Sequence, residues 1–233
     1  MDIEIAISQN TSVELREVLC IYKGGHSGAF VTHHDVLPGE PPVLGVGTSL
    51  TVDTLQALVR DLGGNTAAEV LPENMIARTD RMISWWMPSQ RHQMFFGKDL
   101  GDISKISGRT FPHPPLLFKV SDQTLTVRAL PCNERPTAKT NLMVAPYWNM
   151  DSHGVVCMGT ARVPRECSVA SIPGWSKAFW MSEFTHAGVG VRITSHPGGF
   201  AGLWQQIANQ KGGFPMKSLV NANQKISSFL QGT

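Results

Sequence analysis

Pro115-Leu-Leu-Phe-Lys-Val120, the short break Ser121-Asp122-Gln123, and Thr124-Leu-Thr-Val-Arg-Ala-Leu130 read as two β-strands whose connection is tight enough for a hairpin. Two further strands precede them, at 81–87 around Trp85-Trp86 and at 92–96 ending in Phe95-Phe96. Gly97 to His113 forms a glycine-punctuated loop between the second and third of these four strands. Residues 65–80 are a polar connection. Upstream of it, Thr51 can cap a helix that carries Val52, Leu55, Val59 and Leu62 on one face and stops at Gly63-Gly64. The runs 2–8, 14–22 and 28–36 have the alternating or β-branched character of a three-stranded meander, and a proline-rich loop over 38–47 separates them from the helix.

Past Cys157 the strand signal disappears and three helices are expected, at about 171–185, 199–210 and 222–230. Ser171 and Pro173 suit the opening of the first. In the second, Phe200, Leu203, Trp204, Ile207 and Ala208 form an apolar stripe that ends at Gly212-Gly213. Trp175, Trp180 and Trp204 are core residues on this reading. The class is α+β, with an antiparallel four-strand meander covered by helices on one face and an N-terminal β-meander extension. Residues 1–47 are the β-rich extension and 48–233 the main domain.

Composition narrows the function. The chain has 233 residues, enough to bury a real core, and a net charge of only +2. Its twenty basic residues are scattered, which disfavours a nucleic-acid surface. No run approaches the roughly 18 apolar residues of a membrane helix, and the acidic start Met1-Asp-Ile-Glu-Ile is unlike a signal peptide, so a cytoplasmic protein is expected. The four cysteines, Cys20, Cys132, Cys157 and Cys167, are too sparse for a disulfide scaffold and read as reduced thiols.

The chemistry concentrates in Ala145-Pro-Tyr-Trp-Asn-Met-Asp-Ser-His-Gly-Val-Val-Cys-Met-Gly159. Tyr147 and Trp148 are bulky enough to anchor the segment, Asp151 to Gly154 read as a tight turn, and Val155-Val156 bring the chain back extended. That return sets Asn149 beside Cys157, eight residues on. A side-chain amide aimed at a developing oxyanion lowers a barrier by roughly 3 kcal/mol. Equally, a free cysteine is often just a packed thiol.

Asn149, the turn ending in Gly154, Val155-Val156 and Cys157 resemble the active-site segment of ubiquitin-conjugating enzymes, where His-Pro-Asn precedes the catalytic cysteine at this interval; here Tyr147-Trp148-Asn149 stands in its place. Over about Trp85 to Leu230 the chain resembles the protein B family of the PRTRC plasmid gene cassette. The shared pieces are Arg135-Pro136-Thr137, Ala145 to Asn149, Gly154 to Gly159, Phe184-Thr185-His186, and His196-Pro197-Gly198-Gly199-Phe200. The resemblance implies a ubiquitin-conjugating fold and, as partners, a ubiquitin-like protein and a ThiF-type adenylating enzyme.

Three histidines lie near enough in sequence to matter. His186 is preferred as a base or substrate-orienting group. His196 either contributes likewise or builds the turn into the following helix, and His153 either assists sulfur ionisation or faces solvent. Arg162 and Arg165 either lower the thiol's pKa or are solvated surface. No cofactor is assigned. Metal binding is not expected, because His33-His34 point to opposite faces of a strand and Cys132 and Cys167 have no partner at zinc-ligand spacing. Two functions remain: a carrier that takes a ubiquitin-like protein as a thioester on Cys157 and passes it to an amine, with Asn149 and His186 assisting, or a non-catalytic adaptor of the same fold in a plasmid-maintenance cassette.

Overall fold

Asp122 and Gln123 both take left-handed backbone angles, φ 47° and 63°, and so form the two-residue turn whose twist matches that of the strands it joins. The computed structural model describes residues 15–23, 29–61, 70–188 and 190–231. The chain divides into two compact units, Met1–Glu69 and Val70–Thr233.

In the first unit, β1 (Glu17–Lys23) pairs antiparallel with β2 (Ala29–Leu37), and the two short strands β3 (Val43–Leu44) and β4 (Thr48–Ser49) fold back onto β2. The expected strand over 2–8 lies outside the described residues. Helix α1 (Val52–Asp61) follows, capped as expected: the Thr51 hydroxyl accepts the Thr54 N–H at 3.2 Å. Its apolar stripe Val52, Leu55 and Val59 is exposed, and Leu62 lies outside the described residues.

The second unit runs β5 (Met75–Arg78), β6 (Met82–Met87), β7 (Gln90–Gln93), β8 (Phe95–Phe96), β9 (Thr110–His113), β10 (Leu116–Ser121), β11 (Thr124–Ala129), β12 (Asn141–Val144), α2 (Ile172–Trp180), β13 (Glu183–Phe184), α3 (Gly199–Asn209), β14 (Asn221–Lys225) and α4 (Ile226–Gln231). Six of these strands form one antiparallel sheet in the order β14-β12-β11-β10-β6-β5. The architecture is mixed α+β with mostly antiparallel pairing; β8 and β13 are a short parallel pair.

Strand alternation gives the sheet two coats. From one face, Trp85, Phe118 and Val127 meet Trp175 and Phe179 of α2 and Leu203 and Trp204 of α3 in the main core. Trp85 stacks on Phe118 at 5.1 Å, and Phe179 meets Phe118 edge-on at 5.5 Å. Each such buried aromatic removes on the order of 150–250 Å² from water, which makes this layer the main source of cohesion. On the other face Leu117 and Leu142 pack with Ile226 and Phe229. The helices are therefore not confined to one face as expected: α4 covers the second.

Other expectations are corrected in detail. The strand expected at 92–96 is interrupted at Met94, whose carbonyl accepts the Gly108 N–H and whose N–H bonds Arg109 O. The loop over 97–113 contains a 3₁₀ turn, Gly101–Ile106, that buries Ile103, and then β9. The polar connection 65–80 conceals β5. Strands do continue after Cys157, as β13 and β14, and the helix expected at 222–230 begins only at Ile226. β14 ends the sheet and reads Asn-Ala-Asn-Gln-Lys, with no apolar alternation to announce it.

Candidate functional site

Tyr147 and Trp148 fix the start of the cysteine-bearing segment. Tyr147 is fully buried, its hydroxyl 2.9 Å from His113 Nδ1, and Trp148 stacks on Phe200 at 4.1 Å. Immediately after these anchors Asn149 turns left-handed at φ 58°, a region that Asn tolerates better than most residues. The bend itself is tied by Asp151, whose Oδ1 accepts the N–H groups of His153 at 2.8 Å and Val155 at 2.9 Å. At Gly154, φ is +80° and a β-carbon would sit 2.5 Å from Val127 O, so only glycine fits against the strand.

The returning limb is stitched to the sheet and to its own start. Val127 N–H donates to Gly154 O at 2.9 Å, Val156 N–H to Leu125 O at 2.8 Å, and Cys157 N–H to Asn149 O at 2.8 Å. Asn149 and Cys157 thus stand opposite each other, and Cys157 is exposed. It lies where two open grooves meet. One, of about 390 Å³, is lined by Met158, Ala161, Met181 and Glu183 among others; the second, of about 450 Å³, by Met150, Asp151, Ser152 and Gly188 among others. Cys157, Asn149 and His186 line both.

The Asn149 carboxamide is directed at the segment after α2. Its Nδ2 donates to Glu183 O at 2.7 Å; its Oδ1 accepts from Thr185 N at 2.9 Å, His186 N at 3.2 Å and the Thr185 hydroxyl at 3.2 Å. The backbone adds Asn149 N–H to His186 O at 2.8 Å. Thr185 Oγ1 also lies 3.1 Å from His186 Nδ1. A hydroxyl has a single proton. With that proton on Asn149 Oδ1, the imidazole donates from Nδ1 to Thr185 and its Nε2 is left as a proton acceptor. One Nδ2–H of Asn149 remains beyond the bond to Glu183.

His186 is exposed and shares both grooves with Cys157. His153 does not; it lines a separate cavity with Lys119 and Gln224. His196 braces a helix: Nε2 is 2.7 Å from Gln206 Oε1, and Nδ1 accepts the Gly198 N–H at 3.1 Å at the start of α3. Arg162 and Arg165 are exposed and line neither groove. Arg135, from another of the shared motifs, ties a loop to β5 by donating to the carbonyls of Glu73 and Met75. Among the described residues Glu17, His33 and Asp35 of the first unit are the grouping with metal-capable atoms within 4.8 Å of one another.

Thr185 is the residue that sequence reading passed over. It lies 36 positions from Asn149 and gave no signal beyond its place in Phe184-Thr185-His186. Met158 had only its place in Gly154 to Gly159, and Met181 and Glu183, which line the same groove, had none.

An exposed cysteine on a braced bend beside an antiparallel sheet is an E2-like arrangement. Residues 53–222 match the family model described as prokaryotic E2 family D, and the chain belongs to that family. No curated protein and no solved structure matches it. No helix among the described residues is long and apolar enough to cross a membrane.

Proposed function

We propose that the protein is a ubiquitin-conjugating-like carrier in which Cys157 accepts the carboxyl terminus of a ubiquitin-like protein as a thioester and passes it to an amine. The observation that carries this reading is the exposed sulfur at the meeting of two grooves, flanked by His186. Two approaches to one sulfur suit a group that must meet an incoming acyl chain and an outgoing acceptor in turn. In the first step the Cys157 thiolate displaces the thiol of a ThiF-type adenylating enzyme. In the second the amine attacks the carbonyl carbon, C–N forms, C–S breaks, and the proton lost by nitrogen passes through His186 or water to the departing sulfur. For the Asn149 amide to support the oxyanion, it must give up its bonds to Glu183, Thr185 and His186 and turn toward the sulfur.

This reading takes the antiparallel strands β6, β10 and β11 with the Cys157 bend as a ubiquitin-conjugating-type core. It places the chain near protein B of the PRTRC cassette, acting in the cytoplasm with that cassette's ubiquitin-like and adenylating proteins. The test combines the protein with ATP and those two partners. A reductant-sensitive adduct that disappears in Cys157→Ala supports the carrier, and no adduct under conditions where the adenylating enzyme is itself charged refutes it.

The adaptor reading is favoured by one observation, that the Asn149 amide is engaged in holding residues 183–186. An adaptor would bind either partner with unchanged affinity in Cys157→Ala and form no covalent product.

A further inference from the structure

Among the described residues, the sheet face that meets α4 carries two cations with no carboxylate bonded to either. Lys119 on β10 stands opposite Thr126 on β11, and Arg128 follows two residues along on the same face. Arg128 is only 4% exposed; its Nε donates to Gln224 Oε1 at 3.2 Å and a terminal nitrogen to Ser152 O at 3.1 Å. Half-buried Lys119 donates to Phe229 O at 2.7 Å and lies 4.7 Å from the centre of the Phe229 ring. None of these partners bears a full charge, whereas buried charges are ordinarily paired. Burial, and then the charge of Arg128, hold the Lys119 amine below the usual lysine range.

Beside Lys119 is a cavity of about 300 Å³ whose wall includes Thr126, Asp151, His153 and Gln224. Asp151 is the one carboxylate among the described residues that line it, and its charge reaches Arg128. One Asp151 oxygen is already bonded to two backbone N–H groups. Lys119 and Asp151 therefore share a space lined by donors, namely the unused ammonium hydrogens of Lys119, the Thr126 hydroxyl and the Gln224 amide, while Arg128 stands outside the lining, bonded to Gln224 and Ser152. The cavity is many times the roughly 30 Å³ share of a water molecule.

We infer that this cavity binds a small oxyanion, a phosphate or carboxylate group, held by Lys119, Thr126 and Gln224. Asp151 and Val155 line both this cavity and one groove at Cys157. Occupancy therefore bears on the bend that presents the thiol.

The test is calorimetric titration of the full chain with inorganic phosphate and with acetate, at ionic strength held constant with chloride. Saturable binding of either anion is expected, weakened by about tenfold or more in Lys119→Gln and in Thr126→Val, the latter keeping side-chain shape and so the fold. The rate of Cys157 alkylation by a neutral reagent should change with the same midpoint. Tighter binding of a phosphoserine peptide than of free phosphate would show that the group arrives on a polypeptide; the reverse order would show a free ion. A response that is linear and equal to that of chloride, or binding unchanged in both variants, overturns the inference.

Discussion

Cys157 donates its backbone N–H to the Asn149 carbonyl at 2.8 Å, while the Asn149 side chain turns the other way and bonds Glu183, Thr185 and His186. One residue thereby registers the cysteine limb and the histidine segment against each other. The sulfur and the imidazole line the same grooves because both are referred to Asn149.

Asn149→Ala removes a donor and an acceptor that serve four side-chain bonds, and puts alanine, which tolerates the left-handed region less well than asparagine, at φ 58°. The loss of four part-buried hydrogen bonds and the left-handed strain together should cost roughly 2–4 kcal/mol. Chemical denaturation will read this as a lower midpoint, and faster amide exchange at Thr185 and His186 should accompany it.

Gly154→Ala sets a methyl group against Val127 O in a backbone region hostile to side chains. We expect a loss of about 2–4 kcal/mol, with any thioester formed at Cys157 reduced in proportion to the displaced bend. Thermal unfolding and adduct yield, measured on the same sample, check the two together.

The four thiols should separate by exposure. Cys132 and Cys157 are exposed, whereas Cys20 and Cys167 are half-buried. Burial raises the Cys167 pKa, and its thiol faces Val120 O at 3.6 Å. At neutral pH, timed alkylation read by peptide mass should label Cys132 and Cys157 first and Cys167 about tenfold or more slowly. Cys132 is thus the internal standard for Cys157, and a rate ratio well above one would mark Cys157 as activated.

His113 makes stability fall in acid. It is 1% exposed, and burial, opposed in part by the hydrogen bond to the His92 carbonyl and aided by the nearby charges of His92 and Arg91, takes its pKa from 6.5 down to about 3. The unfolded chain binds this proton more readily than the folded one. The contribution is therefore complete above pH 6.5 and is lost as pH falls from there toward 3, by about 4 kcal/mol at pH 3.5. His113→Gln should flatten that part of the stability profile in denaturant titrations from pH 8 to pH 4.

What could be read in the sequence was whatever is local. The hairpin at 116–129 shows in alternating residues and a two-residue turn, α1 in Thr51 and its apolar stripe, and α3 in Phe200, Leu203, Trp204 and Ile207. The bend at 149–157 was legible because its ties to itself, from Asp151 and Gly154, lie within a few residues. β5, β12 and β14 were not, since short strands of mixed polarity owe their state to neighbours distant in the chain. The same holds for the site. Asn149 and Cys157 stand out by spacing, but the direction of the Asn149 amide is set by carbonyls and N–H groups at 183–186. Lys119 and Arg128 are brought beside Asp151 only by the folded sheet.

The most direct test is the intact mass of the protein after incubation with ATP, the adenylating enzyme and the ubiquitin-like protein, for native protein, Cys157→Ser and Cys157→Ala. The account predicts an added mass of one ubiquitin-like protein less one water: labile to reductant in the native chain, stable to it as an ester in Cys157→Ser, and absent in Cys157→Ala. An adduct of equal yield in Cys157→Ala, or none in the native chain while the adenylating enzyme is charged, would contradict it.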